Sequence, residues 1–302
     1  MRLTAIVPAT DRPPTLERCI AAISAADEPP ESLIVVDEAP GPGPAAARNR
    51  GAAEADADVL VFVDADVEVH RDAFARVRRA FERDPELGAV FGSYDDDPPA
   101  PGLVSSFRNL LHHHVHQEGG GPASTFWAGL GAMRRDVFAA QGGFDAERYP
   151  RASIEDIELG CRVSAAGMRI ELDPGLLGTH LKAWTLRSMV ETDFSRRGAP
   201  WVALMLGSEA SRSALNLGPR HRASAAALAL GAFALARGNR GVSAASLTAL
   251  LALNRDFYGL LLRRGGPGAA AAGVGLHALH HLTGIAAVPA GVVLHLRERL
   301  RG

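Results

Sequence analysis

The N-terminal two thirds of the chain predict an α/β fold, a mostly parallel sheet with helices on both faces, and the remainder predicts an α-helical region. Three observations carry this. Apolar runs of strand length at Leu3–Val7, Leu33–Val36 and Val59–Val63 alternate with helix-like segments at about 14–26, 44–55 and 70–83. The strands are almost continuously apolar, as strands covered on both faces are, instead of alternating in period two. After about residue 206 the composition turns to Ala and Leu, with arginines gathered at segment edges.

Taken in order, each strand ends in polar chemistry. The first runs through Pro8 to Asp11 and Arg12, the second into Asp37-Glu38, and the third into Asp64-Ala-Asp66. Ligands of open α/β sheets bind outside the carboxyl ends of the strands. Three polar ends converging there suit a nucleotide and its metal. Asp64 and Asp66 flank one alanine, which in an extended chain puts both carboxylates on the same side, where like charges repel. One reading is a strand closing in a solvated turn, where Asp bonds its own backbone. The other is a hard divalent cation, Mg²⁺ or Mn²⁺, held by one or two carboxylates and completed by substrate phosphates and water.

Further along, SYDDDPPAPG at 93–102 suggests a solvated acidic loop at 95–97 bordering an acceptor. The run HHHVH on the next helix sets His112 and His116 at i, i+4, a zinc-chelating spacing that lacks the Glu of an HExxH site, and a polar helix surface explains it as well. In SIEDIEL, Ile154, Ile157, Leu159 and Val163 fit a helix, with Ser153 as its N-cap and acids in the first turn favoured by the helix dipole.

Composition narrows the classes. A chain of 302 residues suits two domains, or one large domain with an appendage. The formal net charge of −2 shows no basic excess, so nucleic acid is not an expected partner. Two cysteines, Cys19 and Cys161, argue against a disulfide-stapled secreted fold and for a reducing compartment. The apolar stretch before Pro8 is too short for a secretory signal, so the N-terminal part is expected in the cytosol. Residues 223–236 are too short to span a bilayer, whereas 267–296 hold no Asp, Glu, Lys or Arg and are long enough. That stretch is mostly Ala and Gly with four His and Pro289, so its insertion energy is marginal. Arginines flank both its ends. The expectation is a re-entrant or interfacial helix pair seating the protein on the cytoplasmic face of the membrane; the alternative is an Ala-rich soluble bundle, packed on the first domain or in a homodimer.

The series IVPATDRPPTLERCIAAI, LIVVDEAP, GPAAARNRGAAEADADVLVFVDADVEV, FWAGLGAMRRDVFAAQGGFD and SIEDIELGCRVSAAGMRI, in this order and spacing, resembles a family 2 glycosyltransferase with the GT-A fold over roughly residues 2–205. The resemblance implies a nucleotide-sugar half at 1–110, an acceptor half at 111–205, and a C-terminal hydrophobic helical region at 206–302. It implies inverting transfer of a sugar from a nucleotide-diphosphate sugar, with Asp66, helped by Asp64, on a metal bridging the diphosphate. Asp37 matches the position that contacts the nucleobase, Pro8, Asp11 and Arg12 lie in the first donor loop, and Arg48 matches an ARN element beside the nucleotide. The usual hydroxyl-rich turn after the second strand is replaced by EAPGPGP, which leaves the base preference unread.

Inverting transfer also needs a carboxylate opposite the leaving diphosphate to take the acceptor's proton. With the resemblance, Asp156 is that base and Glu155 positions the site, while Glu158 is an ordinary helix-face residue. His180, in GTHLKAWTLRS, completes the metal shell or meets phosphate, and Lys182 and Trp184 follow where such enzymes place diphosphate-facing and acceptor-side residues. Gly129 and Gly131 permit close backbone approach to a sugar, and Phe126 and Trp127 either stack on it or belong to the core. Asp173 has no assigned role. The acceptor class is a hydroxyl, on a cell-surface glycan or a polyprenyl lipid. Two other readings compete. A dehalogenase-type phosphatase places Thr two residues after the second Asp, where this chain has Glu68. A non-catalytic scaffold would not need Asp66, Asp156 and Arg48 intact.

Overall fold

A computed structural model describes residues 1–37, 41, 43–207 and 218–300. Glu38, most of the EAPGPGP turn, the segment at 208–217 and the last two residues of the basic tail lie outside the described residues. In chain order the elements are β1 (Leu3–Pro8), α1 (Leu16–Ser24), β2 (Ser32–Val36), α2 (Pro44–Glu54), β3 (Val59–Val63), β4 (Val67–Val69), α3 (Ala73–Arg83), β5 (Leu87–Tyr94), α4 (Leu103–Glu118), β6 (Gly121–Ala123), β7 (Leu130–Arg134), α5 (Arg135–Ala140), α6 (Glu155–Ala165) and β8 (Arg169–His180). There follow α7 (Leu186–Glu191), a π-helical segment (Thr192–Gly198), α8 (Ala199–Gly207), α9 (Pro219–Ala236), α10 (Arg240–Leu253) and α11 (Arg255–Arg299). The strands and helices expected in the first 83 residues are all present.

The strands form one sheet in the order β2-β1-β3-β7-β5-β8-β4, with β6 added on β8. Strands β1, β2, β3, β5 and β8 run one way, and β4, β6 and β7 the other. The register explains where the polar chemistry gathers. Pro8 pairs with Val36 and Ile6 with Phe62, so the carboxyl ends of β1, β2 and β3 lie side by side. Strand β7 runs against β3, with Leu130 opposite Val63, so the segment before β7 arrives at that same end. His180, at the end of β8, pairs with Val67 directly after Asp66.

Strand β3 is buried along its whole length, as its unbroken apolar run predicts. Phe62 on it packs against the rings of Phe126, Phe138 and Phe144, at centroid distances of 6.3, 5.5 and 5.2 Å. Strand β2 is less covered because it is an edge, and Val36 is its one buried residue.

The chain divides into two compact units: Met1–Pro99 with Val115–Lys182, and Ala100–His114 with Ala183–Gly302. The stretch 183–205, grouped by sequence with the N-terminal domain, therefore packs among the C-terminal helices. Within this second unit, small residues let helices approach closely: a Cβ on Gly198 would come 2.7 Å from that of Ala287, and one on Gly291 would come 2.5 Å from Val202. Asp193, on the π-helical segment, joins three elements. It pairs with Arg108 of α4 at 2.7 Å and bonds Nδ1 of His280 of α11 at 2.8 Å. Burial alone would raise its carboxyl pKa, but the Arg108 charge and the His280 bond hold it below the usual range.

Helix α11 is broken at Gly266, which sits at φ +74° and ψ −177°. Pro267 disfavours helical geometry at the residue before it, and glycine alone adopts this φ without strain. Beyond that break the expected helix pair is one long helix that continues past Pro289. Its length and composition suffice to cross a membrane. Gly273, His277, His281, Thr283, Ala287 and Gly291 are buried, while Leu282, Ile285, Val288, Val292, Val293 and Leu296 are exposed.

Removing Asp193 takes the carboxylate from the buried Arg108. Asp193→Ala should therefore cost about 3–5 kcal/mol in urea unfolding. The sign with pH follows from the lowered pKa: the stabilisation is complete above the unfolded carboxyl pKa of about 3.9 and is lost as pH falls through the folded value. Asp193→Asn should thus shrink its deficit relative to wild type below about pH 4. A cost under about 1 kcal/mol, flat with pH, would show that the pair contributes little.

Candidate active site

Asp64, Ala65 and Asp66 form the turn from β3 to β4, and four hydrogen bonds from three separate segments hold its backbone. The Asp64 N–H donates to the Gly129 carbonyl (3.0 Å) and the Leu181 N–H to the Asp66 carbonyl (2.8 Å). The Thr15 hydroxyl donates to the Ala65 carbonyl (2.9 Å), and the Cys19 thiol to the Asp64 carbonyl (3.5 Å). A turn pinned this way is not a solvated strand end. Its side chains are aimed by the fold.

The two carboxylates, drawn together by spacing, are separated by partners. Arg48 donates through Nη2 to Asp64 Oδ1 at 2.6 Å and through Nη1 to Glu155 Oε1 at 2.9 Å. Arg48 is 4% exposed, lies 5.4 Å from the centre of the Phe144 ring, and also feels the charge of Asp156. Asp66 instead has His180 Nε2 at 3.6 Å and Lys182 Nζ at 3.7 Å from its Oδ2. Burial and the neighbouring Asp66 push the Asp64 pKa up more than Arg48 lowers it. For Asp66, burial is outweighed by His180 and Lys182, and its pKa falls to about 2. One carboxylate is thus spent on structure. The other stays ionised beside two basic side chains.

Helix α6 brings the second pair of acids. Ile154 occupies the N-cap without a side-chain bond, so Ser153 is not the cap expected from the sequence. Glu155 instead ties down the segment before the helix: its Oε2 accepts the Ser153 N–H at 2.8 Å while Oε1 faces Arg48. The Asp156 carboxylate accepts the Ala128 N–H (3.1 Å) and the Ile157 N–H (2.8 Å), and the residue remains half-buried. The helix reaches Ala128 because residue 160 is glycine; a Cβ there would lie 2.1 Å from the Phe126 nitrogen. Glu158 is not an ordinary face residue. It is buried and pairs with Arg162, whose Nη2 also donates to the Gly143 carbonyl at 2.8 Å.

Several other expectations change. Phe126 and Trp127 are core, at 1% and 8% exposure, and Gly129 makes room for the indole: a Cβ on it would lie 2.3 Å from Trp127 Cζ2. His114 and His116 are buried, so HHHVH is no polar surface, and His116 Nδ1 is bonded to the Gly92 carbonyl at 2.8 Å. Asp95 is not a solvated loop residue either, since it bonds His70 Nε2 at 2.9 Å and the Thr179 hydroxyl. Asp173 caps Gly175 N–H at 2.8 Å. Trp184 belongs to the second unit, where its N–H groups donate to Ser105 Oγ (2.9 Å) and Asn109 Oδ1 (3.3 Å).

The donor loop keeps its expected residues near the strand ends. Pro8 is buried at the end of β1, Asp11 is exposed, and Arg12 Nε donates to Asp37 Oδ1 at 2.5 Å. Arg12 is the one non-glycine with positive φ among the described residues, at +44°, a strained geometry that the loop maintains. The sequence did not single out Asn49, although it lies in ARN. Its amide bonds both the N–H and the carbonyl of Phe144, at 2.9 and 2.8 Å, and holds the GGFD turn where Gly142 and Gly143 have φ of +72° and +73°.

No group of three His, Cys, Asp or Glu side chains among the described residues is arranged to hold a metal ion by itself. Asp66 with His180 is a two-residue donor set, and Asp64 Oδ1 is committed to Arg48. That set fits a Mg²⁺-like ion only if phosphate oxygens and water complete the shell, which is how such ions bind in phosphate sites.

Residues 38–141 match the sequence family described as Glycosyl transferase family 2. The matched stretch, about a third of the chain, contains Arg48, Asp64 and Asp66 and stops before Glu155 and Asp156. The likeness to that family is confined to this stretch. Among solved structures, a mannosyltransferase, PcManGT from Pyrobaculum calidifontis in complex with GDP-Man and Mn²⁺, aligns over 98% of this chain and 87% of its own, with 18% identity and a TM-score of 0.48. No curated protein matches the sequence.

Arg48→Met should leave Asp64 and Glu155 without their shared cation and cost about 3 kcal/mol or more in denaturant unfolding. Arg48→Lys should recover only part of that, because an ammonium cannot reproduce the planar two-pronged contact. Full recovery by lysine would mean that charge alone, without geometry, is required.

Proposed function

We propose that the protein catalyses inverting transfer of a sugar from a nucleotide-diphosphate sugar to an acceptor hydroxyl, with Asp156 as general base. The observation that carries this reading is Arg48, whose two arms join the Asp-Ala-Asp turn to the first turn of α6. A donor-side carboxylate and a base-side carboxylate are then parts of one buried assembly. Asp156 has its oxygens held in place by two backbone N–H donors, as a base that must meet its substrate in one orientation needs.

In the reaction, the acceptor oxygen attacks the anomeric carbon as its proton passes to Asp156, and the bond from that carbon to the diphosphate breaks. Asp66, with His180, would hold a Mg²⁺ or Mn²⁺ ion, and such an ion supplies neutralisation of the charge that develops on the leaving diphosphate. Lys182, exposed beside Asp66, adds positive charge for the same phosphates. Arg12 and Asp37 flank the strand ends on the nucleoside side. Glu155 is held by Arg48 and the Ser153 N–H, so it positions the site and does not react.

The exposed apolar row on α11 supports a place at the cytoplasmic face of the membrane, as a peripheral or re-entrant attachment. A lipid-linked acceptor, such as a polyprenyl phosphate, or a growing cell-envelope glycan fits that place. A soluble helical bundle in a homodimer, with the protein in the cytoplasm, is the competing use of the same row.

Two measurements test the chemistry and the location. Asp156→Asn should lower transfer by about 10²–10⁴-fold while Mn²⁺-dependent binding of UDP or GDP persists; Asp66→Asn should lose that binding. If both variants bind and turn over like wild type, the assignments fail. For location, the full chain should co-float with vesicles containing anionic lipid, and Leu282, Val288 and Val292 all changed to Ser should abolish this without loss of transfer to a soluble acceptor. A wild-type protein that stays with the aqueous fraction as a dimer would favour the bundle.

A further inference from the structure

His180 stands at the end of β8, where nothing in the strand itself determines the orientation of its ring. A stack behind it does. The Tyr94 ring lies face to face with the His180 imidazole, centroids 4.1 Å apart and planes 7° apart. Tyr94 is delivered there by the β5–β8 pairing, which sets it opposite Gly178, two residues before His180. Its other side is closed by Trp127, edge to face at 4.8 Å and 89°. Trp127 in turn meets His116 at 5.1 Å and 88°, and His116 is anchored to the Gly92 carbonyl and packed on Phe91 at 5.7 Å. Tyr94, Trp127, His116 and His180 are all buried.

A face-to-face contact restricts rotation of the imidazole about its bond to Cβ, since any turn out of plane drives the ring into the tyrosine. What the stack preserves is the aim of Nε2, which lies 3.6 Å from Asp66 Oδ2. Side chains that orient a ligand or charge partner from behind commonly cost 10–100-fold in affinity when removed, although they never touch the ligand.

We infer that Tyr94 is a positioning residue of the donor site: it sets the plane of His180 so that Nε2 and the Asp66 carboxylate face the same divalent cation and diphosphate. The column Trp127 and His116 supports it from behind. This gives His116 of the HHHVH run and Trp127 of FWAG a shared task. The inference rests on the proposed reading of Asp66 and His180 as the cation and diphosphate side of the site.

The test compares Tyr94→Leu with Tyr94→Phe in the full chain. Binding of Mn²⁺ in the presence of UDP, and separately GDP, is read from the free Mn²⁺ paramagnetic resonance signal. Tyr94→Leu should weaken Mn²⁺ binding by about 10–100-fold, and Tyr94→Phe, which keeps the ring, should stay within about threefold of wild type. A second readout follows the His180 ring protons by NMR, assigned with His180→Gln. The stacked tyrosine should shift them upfield in wild type and Tyr94→Phe, and the shift should vanish in Tyr94→Leu. Loss of the NMR shift with unchanged Mn²⁺ affinity would overturn the positioning role, as would equal losses in Leu and Phe variants. Wild type that binds no Mn²⁺ with either nucleotide would instead overturn the reading of the donor site itself.

Discussion

One arginine organises the catalytic unit. Arg48 is buried and meets acids from two distant parts of the chain, Asp64 after β3 and Glu155 at the start of α6. A buried guanidinium is tolerated when its charge is matched, here by two carboxylates on its two Nη arms, and breaking such an arrangement leaves an uncompensated charge in a poorly solvated place. The planar fork of Arg suits this task because each arm points in a fixed direction. Helix α2, the Asp-Ala-Asp turn and the first turn of α6 are therefore held in one relative geometry by electrostatics, with Asn49 next door doing the same for the GGFD turn by hydrogen bonds.

That constraint explains how two carboxylates separated by one alanine come to differ. Like charges so close cannot share an environment without one of them shifting, and the fold resolves this by assigning partners. Asp64 is spent on Arg48. Asp66 is left beside His180 and Lys182, ionised and partly accessible, as a residue that must meet a cation or a phosphate should be. In the proposed reading, the working carboxylate is the member of the pair that the architecture leaves uncommitted to a structural arginine.

The second unit solves a different problem, since its helices are rich in Ala and Leu and hold few polar anchors. Close approach is provided by Gly198, Gly273 and Gly291, where a side chain would collide with the neighbouring helix. Specific register is provided by Arg108, Asp193 and His280, a polar junction among small apolar residues. Beyond Gly266, one side of α11, with Gly273, His277, Thr283, Ala287 and Gly291, is buried, and Leu282, Ile285, Val288, Val292 and Val293 face outward.

Much of the architecture was legible in the sequence because it is periodic and local. Unbroken apolar runs identified β1, β2 and β3, the Asp-Ala-Asp and Glu-Asp pairs drew notice to two turns that the fold joins through Arg48, and the change of composition announced the C-terminal helices. What the chain alone could not disclose was which polar group would meet which. Arg48 and Glu155 are 107 residues apart, and Asn49 and Phe144 are 95 apart, so no spacing rule connects them. The same reason left alternatives open: Ser153 could be a cap, Trp127 a sugar platform or core, and His116 a zinc ligand or a polar surface, because residue type states what a side chain can do and not what lies within 3 Å of it. Sequence determined the strands, the acidic turn ends and the apolar tail, all of which follow from hydrophobic patterning along the chain. Tertiary structure decided the division of labour between Asp64 and Asp66 and the aim of His180, because pairing and stacking depend on distances that exist only once the sheet has formed.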